Sequence, residues 1–482
     1  MAKAKNKPAK TKSAFEPQVH VRMYRQGLGD CFLLRFETEK DQFFTVMIDC
    51  GIYKASPDSS RIMNEIVDDI DETTEGHIDV LVSTHEHWDH ISGFSQALPR
   101  FEKLEIDQVW QAWTEDPKNA LANKLRTKYE GAKAKLVGLM NDANRSLGAT
   151  PSPALDEAFS VMGFFGIDKH GDEAGPYDAI KTLMKSKHPK YFMPGEVEEL
   201  GDTGVKAFIL GPPANEDILK KQDIAKGDAY EKEKTAFFDG FESMLGAVES
   251  GMEGNAVTDF DNRPFDRRRE IPLEVARRSE FFQTLYAFDS EHPEWFRSIE
   301  DLAFDTLGNL ALRMDNYINN TSLVIAFRLP SGQVLLFPGD AQGGNWKSWA
   351  DPEKPLAFED EKTNARELLA NTVLYKVGHH GSHNATPRTY GLELMTHPDL
   401  RAFVPVDAAI ATAARYGEMP LHAIMDALGK KPGGAVFRSD DDAKKAPSDV
   451  FLFSKKMLSI KTSPEGKYFD RPMYCETSFD LN

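Results

Sequence analysis

Residues Thr84–Gly93 read THEHWDHISG, a stretch that sets His85, His87, Asp89 and His90 side by side in a chain with only 13 histidines among 482 residues. The cluster follows DVLVS (Asp79–Ser83), a short branched apolar run that reads as a buried strand. Ile91, Phe94 and Leu98 then recur at helical spacing, which predicts a helix directly after the cluster. His85 and His87 stand two apart at a strand end, so their imidazoles can turn toward one ion. Asp89 and His90, where the helix begins, can face a second. Imidazole and carboxylate are ligands that zinc, manganese and iron accept, and paired sites hold their metals roughly 3.5–4 Å apart. Glu86 and Trp88 read as a spacer and a packing residue.

A metal pair needs further ligands, and these must also stand at strand ends. Asp49 closes FFTVMIDCG, Asp340 closes QVLLFPGDA, and His379 with His380 closes TVLYKVGHHGSH. Each aspartate taken alone reads more readily as a turn residue. Taken with HxHxDH, they share one explanation, a metal centre.

Length and composition bound the rest. A chain of this length with 41% hydrophobic residues holds two or three domains, or one large core with insertions. No run of about 18 apolar residues occurs, and the first residues lack the apolar core of a signal peptide, so neither a membrane span nor export is expected and the expected location is cytoplasmic. Cys31, Cys50 and Cys475 are too few and scattered for a disulfide framework and read as buried small hydrophobes. The net charge of −18 is uneven, because the opening MAKAKNKPAKTK carries lysines and no acid. Residues 1–17 are therefore expected to be a disordered basic tail, either solvated and inert or in contact with nucleic acid or a partner. The acidic remainder argues against a broad groove tracking a phosphate backbone.

Along the chain, VHVRMY (Val19–Tyr24), CFLLRF and FFTVMID are expected strands. Residues 115–190 read mainly as helix, loop-rich and Gly/Pro-punctuated from about 155, and KAFILGPP (Lys206–Pro213) as a strand ending in a proline turn. Residues 18–482 are expected to form a single α/β domain with helical insertions at about 115–195 and 214–310. In the second insertion IPLEVARRSEFFQTLYAF and WFRSIEDLAFDTLGNLALRM have helical spacing. SLVIAFRL, QVLLFPGD and TVLYKVG return to strand, HAIMDALG to helix. Alternation of this kind is that of a layered α/β fold.

The chain resembles the metallo-β-lactamase fold, and within it the branch similar to the nuclease-like domain of the competence protein ComEC. RQGLGDCFLLRF resembles that branch's opening GQGD strand, IDCG its first motif, STHEHWDHISGF its second, and FILGPP with NNTSLVIAF its middle. LFPGDA, KVGHHGSH, RYGEMPLHAIMDAL and VFRSDD are similar to the later motifs, so the resemblance spans about residues 19–440. It implies an αββα four-layer sandwich and a site for two divalent ions, Zn2+ or Mn2+. His85 and His87 would hold the first ion and Asp89 and His90 the second. Asp340 would bridge the ions and His379 would complete the second site. Asp49 would orient a ligand, with His380 replacing His379 if the loop register differs by one, and His383 lying on the surface. Hydrolases of this fold supply another histidine to the first ion where this chain has Asn319, Asn320 and Ser322. The first ion is then poorer in ligands, and Asn319 and Ser322 either bind substrate or cap a turn.

The expected reaction is hydrolysis by a hydroxide bridging the two ions, with Asp89 and Asp340 as the catalytic carboxylates. The first expectation is a phosphodiesterase or nuclease acting on nucleic acid or nucleotides. The alternatives are an ester, lactone or thioester hydrolase, and a binding or regulatory protein without turnover. Ser382, the Gly378 and Gly381 backbone, or an arginine can steady substrate oxygens. Arg263, Arg267, Arg268, Arg269, Arg277 and Arg278 are candidates, although ion pairs with neighbouring Asp and Glu explain them equally simply. A partner protein is expected, if at all, through the helical insertions.

Overall fold

The structure, a computed structural model, describes residues 16–147, 153–167, 188–219, 271, 273–286, 299–414, 416–462 and 467–482. Most of the basic tail and Arg263, Arg267, Arg268 and Arg269 lie outside them. The strands are β1 (Gln18–Tyr24), β2 (Cys31–Glu39), β3 (Gln42–Cys50), β4 (His77–Val82), β5 (Glu105–Ala112) and β6 (His188–Phe192). After these come β7 (Val197–Glu199), β8 (Lys206–Gly211), β9 (Val324–Arg328), β10 (Val334–Phe337), β11 (Thr372–Lys376), β12 (Arg401–Val404) and β13 (Ala435–Arg438). The last are β14 (Leu452–Phe453), β15 (Met457–Thr462), β16 (Lys467–Pro472) and β17 (Tyr474–Asp480).

The protein is mixed α/β with two large sheets. One has eight strands in the order β14-β17-β1-β2-β3-β4-β5-β6, the other seven in the order β13-β12-β11-β10-β9-β8-β7. In each sheet parallel pairing, β3 to β6 and β10 to β13, adjoins antiparallel pairing.

Strands buried on both faces carry apolar side chains in succession, each face taking alternate residues. In β2, Phe32, Leu34 and Phe36 join a core shared by both sheets, while Cys31 and Leu33 point into a core on the other side. In β9, Ile325 and Phe327 enter the shared core, and Val324 and Ala326 the opposite one. Phe32 meets Phe337 across the sheets with ring centroids 5.5 Å apart. The outer core of the first sheet takes Ile62, Ile66 and Ile70 of α1 (Ser59–Thr74) and Ile91 and Phe94 of α2 (Trp88–Gln96). That of the second takes Trp346, Trp349, Leu368, Ile410 and Ile424 from helices spanning Gly343–Ala350, Ala365–Ala370, Ala408–Ala413 and His422–Gly429. Cys31, Cys50 and Cys475 are buried free thiols.

A separate helical layer forms from α3 (Ala120–Leu147), α4 (Pro153–Met162) and α5 (Ile299–Asn319), which share a core of Leu136, Met140, Phe159, Met162, Leu310 and Met314. Among the described residues no helix is long and apolar enough to cross a membrane.

Several boundaries differ from the sequence reading. The helix after the histidines begins at Trp88, inside the cluster, so Asp89 lies in its first turn, where the helix dipole favours a carboxylate. Leu98 belongs to the next short helix. The stretch 115–195 contains β6, whose sequence HPKYF is too polar to signal a strand but suits a sheet edge. α5 continues past 310 to Asn319.

Where α2 meets the end of β3, only glycine fits. A methyl group on Gly51 would overlap the Asp89 carbonyl and the His90 amide, and one on Gly93 would lie 2.5 Å from Cys50 Sγ. Gly51→Ala is accordingly expected to destabilise the fold by about 1–3 kcal/mol or more, measured as a lowered urea midpoint.

Candidate metal centre

The predicted residues gather where the two sheets end together. Asp49 is the penultimate residue of β3, Thr84–His90 follow β4, Asp340 follows β10, and His379 and His380 follow β11. The Leu323 N–H donates to the Thr84 carbonyl at 2.9 Å, tying the approach to β9 to the motif loop of the other sheet.

Asp89, His90, Asp340 and His380 form a buried group whose ligand atoms all lie within 4.8 Å of one another. His90 Nε2 is 3.2 Å from Asp340 Oδ2, and His380 Nε2 is 2.8 Å from Asp89 Oδ2. The far nitrogen of each ring is held from behind: His90 Nδ1 lies 2.8 Å from Asp49 Oδ2, and His380 Nδ1 donates to the Pro405 carbonyl at 2.6 Å. Both rings thereby present Nε2 to the common point. Asp49 also accepts from the Thr84 N–H at 2.8 Å and hydroxyl at 2.7 Å, fixing the start of the motif loop.

His379 is outside that group. Its N–H donates to Asp340 Oδ1 at 2.9 Å, while its Nδ1 is 2.8 Å from Ser382 Oγ. Asp49, His379 and His380 all have left-handed backbone, with φ of 54°, 45° and 52°. Such conformations cost non-glycine residues about 1 kcal/mol or more and persist where surrounding bonds dictate them. Here the loop is bonded to Asp340 and Pro405, and it is the second imidazole that reaches Asp89.

His85 and His87 converge separately, with His85 Nε2 3.1 Å from His87 Nδ1. Ser322 Oγ accepts from the Asp340 N–H at 3.0 Å and lies 3.3 Å from His85 Nδ1, so it braces two candidate ligands. Asn319 Nδ2 donates to Asp315 Oδ2 at 3.1 Å. Asn320 Oδ1 accepts from the Gln342 N–H at 3.1 Å and Asn345 Nδ2 at 2.7 Å. Both asparagines are fully buried. Ser382 continues a polar chain: its hydroxyl donates to Asn384 Oδ1 at 2.8 Å, and Asn384 Nδ2 to Asn316 Oδ1 at 3.1 Å. Arg277 and Arg278 lie just beyond the short helix Leu273–Ala276, and both are exposed.

Three residues escaped the sequence reading. Lys376 Nζ lies 2.5 Å from Asp30 Oδ2 and donates to Asp340 Oδ1 at 3.1 Å and to the Gly339 carbonyl at 2.9 Å. The lone cation in TVLYKVG and the acid of GLGDC were the available signals. Asp315, on α5, places Oδ1 3.6 Å from His87 Nε2, and nothing in its helix sequence distinguishes it.

Electrostatics follow from burial and partners. Burial pushes His85 well below its ordinary value, His87 down to about 3 and His379 down to about 4, so these rings are neutral. Burial acts the same way on His90, but Asp340, Asp30, Asp89 and Asp49 outweigh it and hold this imidazole protonated. His380 is raised because its bond to Asp89 overcomes burial. Burial opposes ionisation of Asp340, yet Lys376 and His90 hold its carboxyl well below the usual range. Protons on His90 and His380 thus stand where a cation would balance Asp340 and Asp89.

This donor set, imidazoles with carboxylates, suits a transition metal. Asp89 Oδ1 is buried with no hydrogen-bond partner among the described residues, a demand that an ion would satisfy. These buried histidine–aspartate groups can hold a metal ion. Compared with known proteins, the chain matches no family model and no curated protein.

Two outcomes are expected. Lys376→Met leaves Asp30 and Asp340 buried without their cation and should cost roughly 3–5 kcal/mol, measured by chemical denaturation. Because neighbouring carboxylates favour the protonated form of His90 and His380, an ion taken up between them must displace protons. Calorimetry in buffers of different ionisation enthalpy should find about one to two protons released at neutral pH by the ion that His90 and His380 would hold, and its affinity should rise as pH rises above 6.5.

Proposed function

We propose that the protein is a metal-dependent hydrolase of the metallo-β-lactamase fold, similar to the ComEC-like branch, that cleaves phosphodiesters in nucleic acid or nucleotides. The observation that carries this reading is the convergence of Asp89, His90, Asp340 and His380 within 4.8 Å, beside His85 and His87, at the shared end of two sheets. A helix-covered outer face on each sheet supports the αββα arrangement. His85 and His87 would hold one divalent ion, zinc or manganese, and Asp89, His90 and His380 the other, with Asp340 between them. Bound ions supply Lewis acidity, lowering the pKa of water toward neutrality and polarising the bond to be cut.

The protein's own groups do the rest. Asp340 has Oδ1 occupied by Lys376 and the His379 N–H, so Oδ2 is the oxygen offered to the ions. His379 is neutral, and Ser382 has a single proton, which it gives to Asn384. Ser382 Oγ therefore accepts from His379 Nδ1–H, leaving His379 Nε2 as a lone pair that can take a proton or orient a water. Ser382 and Asn384, each 6% exposed, and His379, 8% exposed, are slightly less buried than the ligands, which are exposed by 2% or less. A phosphate oxygen would arrive from their side.

The aromatic surroundings of His87 favour a second reading, hydrolysis of an ester with an apolar acyl group. Phe164 and Phe165 lie 5.8 and 5.1 Å from the His87 ring.

A panel of bis(p-nitrophenyl) phosphate, single- and double-stranded DNA and RNA, and acyl esters, assayed with zinc and manganese, separates the readings. Phosphodiester turnover is expected. His380→Ala should lower it by roughly 100-fold or more and cost the tighter ion, while His379→Ala keeps both ions and loses rate, by about 10²–10⁴-fold. Failure of the metal-supplemented protein to bind any ion would overturn both enzymatic readings.

A further inference from the structure

A first ion would draw only His85 and His87 from the motif, and a residue from the inserted helical layer lies beside His87. An ion on His87 Nδ1 requires the ring proton to sit on Nε2. That nitrogen is buried and has no hydrogen-bond partner among the described residues, and the same is true of Asp315 Oδ1. The two unpartnered atoms face each other at 3.6 Å, His87 being 1% exposed and Asp315 4%. A shift of roughly 0.5 Å brings them to hydrogen-bond distance. Asp315 is restrained from its other oxygen by Asn319 Nδ2, one helical turn along α5. Phe164 and Phe165 pack around the same ring, so apolar groups flank His87 and Asp315 is the acceptor opposite Nε2.

We propose that Asp315 is a positioning residue for His87, fixing its tautomer and orientation for the first ion, so that the inserted helix α5 is part of the metal centre. Carboxylates behind ligand histidines act in this way at many metal sites, and losing one weakens metal affinity without removing a ligand. The role of Asn319 changes with it. At the place where a histidine ligand would be expected, this chain puts a residue that steadies the support of another ligand.

The inference rests on the two-ion reading, and zinc titration of the full chain separates the two. Wild type should bind two ions, and the first-ion dissociation constant should rise roughly 10- to 100-fold in Asp315→Ala while the second ion is unchanged. Asp315→Asn, of the same shape but unable to ionise, should show a smaller rise. It should also move the His87 Nε2–H resonance in the zinc-loaded protein, a signature that helix packing alone does not alter. If Asp315→Ala loses both ions through misfolding, the Asn variant decides by those two measurements. Unchanged first-ion affinity together with an unmoved His87 resonance in the Asn variant would overturn the role of Asp315 and leave the two-ion reading standing. A wild-type protein that never takes a second equivalent would overturn both.

Discussion

Carboxylates crowded out of water at one point are the constraint around which this protein is organised. Asp30, Asp49, Asp89 and Asp340 are each 2% exposed or less, and burying a bare charge costs several kcal/mol even after relaxation. Lys376 is the fixed cation among them, held between Asp30 and Asp340 by the strand β11. The remaining compensation comes from imidazole protons, which are removable. A fixed cation stays among them, and the exchangeable protons are charges that an ion can replace. Left-handed backbone at Asp49, His379 and His380 is tolerable because each is tied into this charge balance.

The inserted helices meet the centre in a polar and an apolar way. Asn316 of α5 accepts from Asn384 and from Gln342 Nε2 at 2.5 Å, joining the helix to the loop after β11. Phe165 meets the His87 ring edge-on and Phe164 lies tilted against it, and Tyr53, against Phe164 at 5.3 Å, extends that wall to the loop after β3. The layer thus meets the site from two sides while keeping a core of its own. Its composition, amide on one side and aromatic on the other, governs what lies next to the ligands.

Much of this was legible because spacing along a strand or helix is local. HxHxDH after a branched apolar run placed His85, His87, Asp89 and His90 together without knowledge of anything distant, and aspartates closing apolar strands indicated Asp49 and Asp340. What separates His379 from His380 is backbone conformation, two left-handed residues in succession, which neighbouring sequence does not specify. Lys376 and Asp30 meet across most of the chain, and a solitary buried charge says only that a partner exists. Asp315 was invisible for a different reason: α5 carries other acids, and only the packing of the inserted layer decides which of them faces His87.

The first sheet is closed by β17, which pairs with β1 from Gln18↔Asp480 to Tyr24↔Tyr474. That ladder joins the earliest described strand to the last one, while Arg471, near the end, bonds Asp407 beside the second sheet at 2.9 Å. During synthesis, β1 must therefore wait with one edge unpaired until β17 has emerged. Non-local closure of this kind slows folding and leaves strand edges open to misassociation. The loops that carry the histidines are made before the strand that completes one of the sheets aiming them.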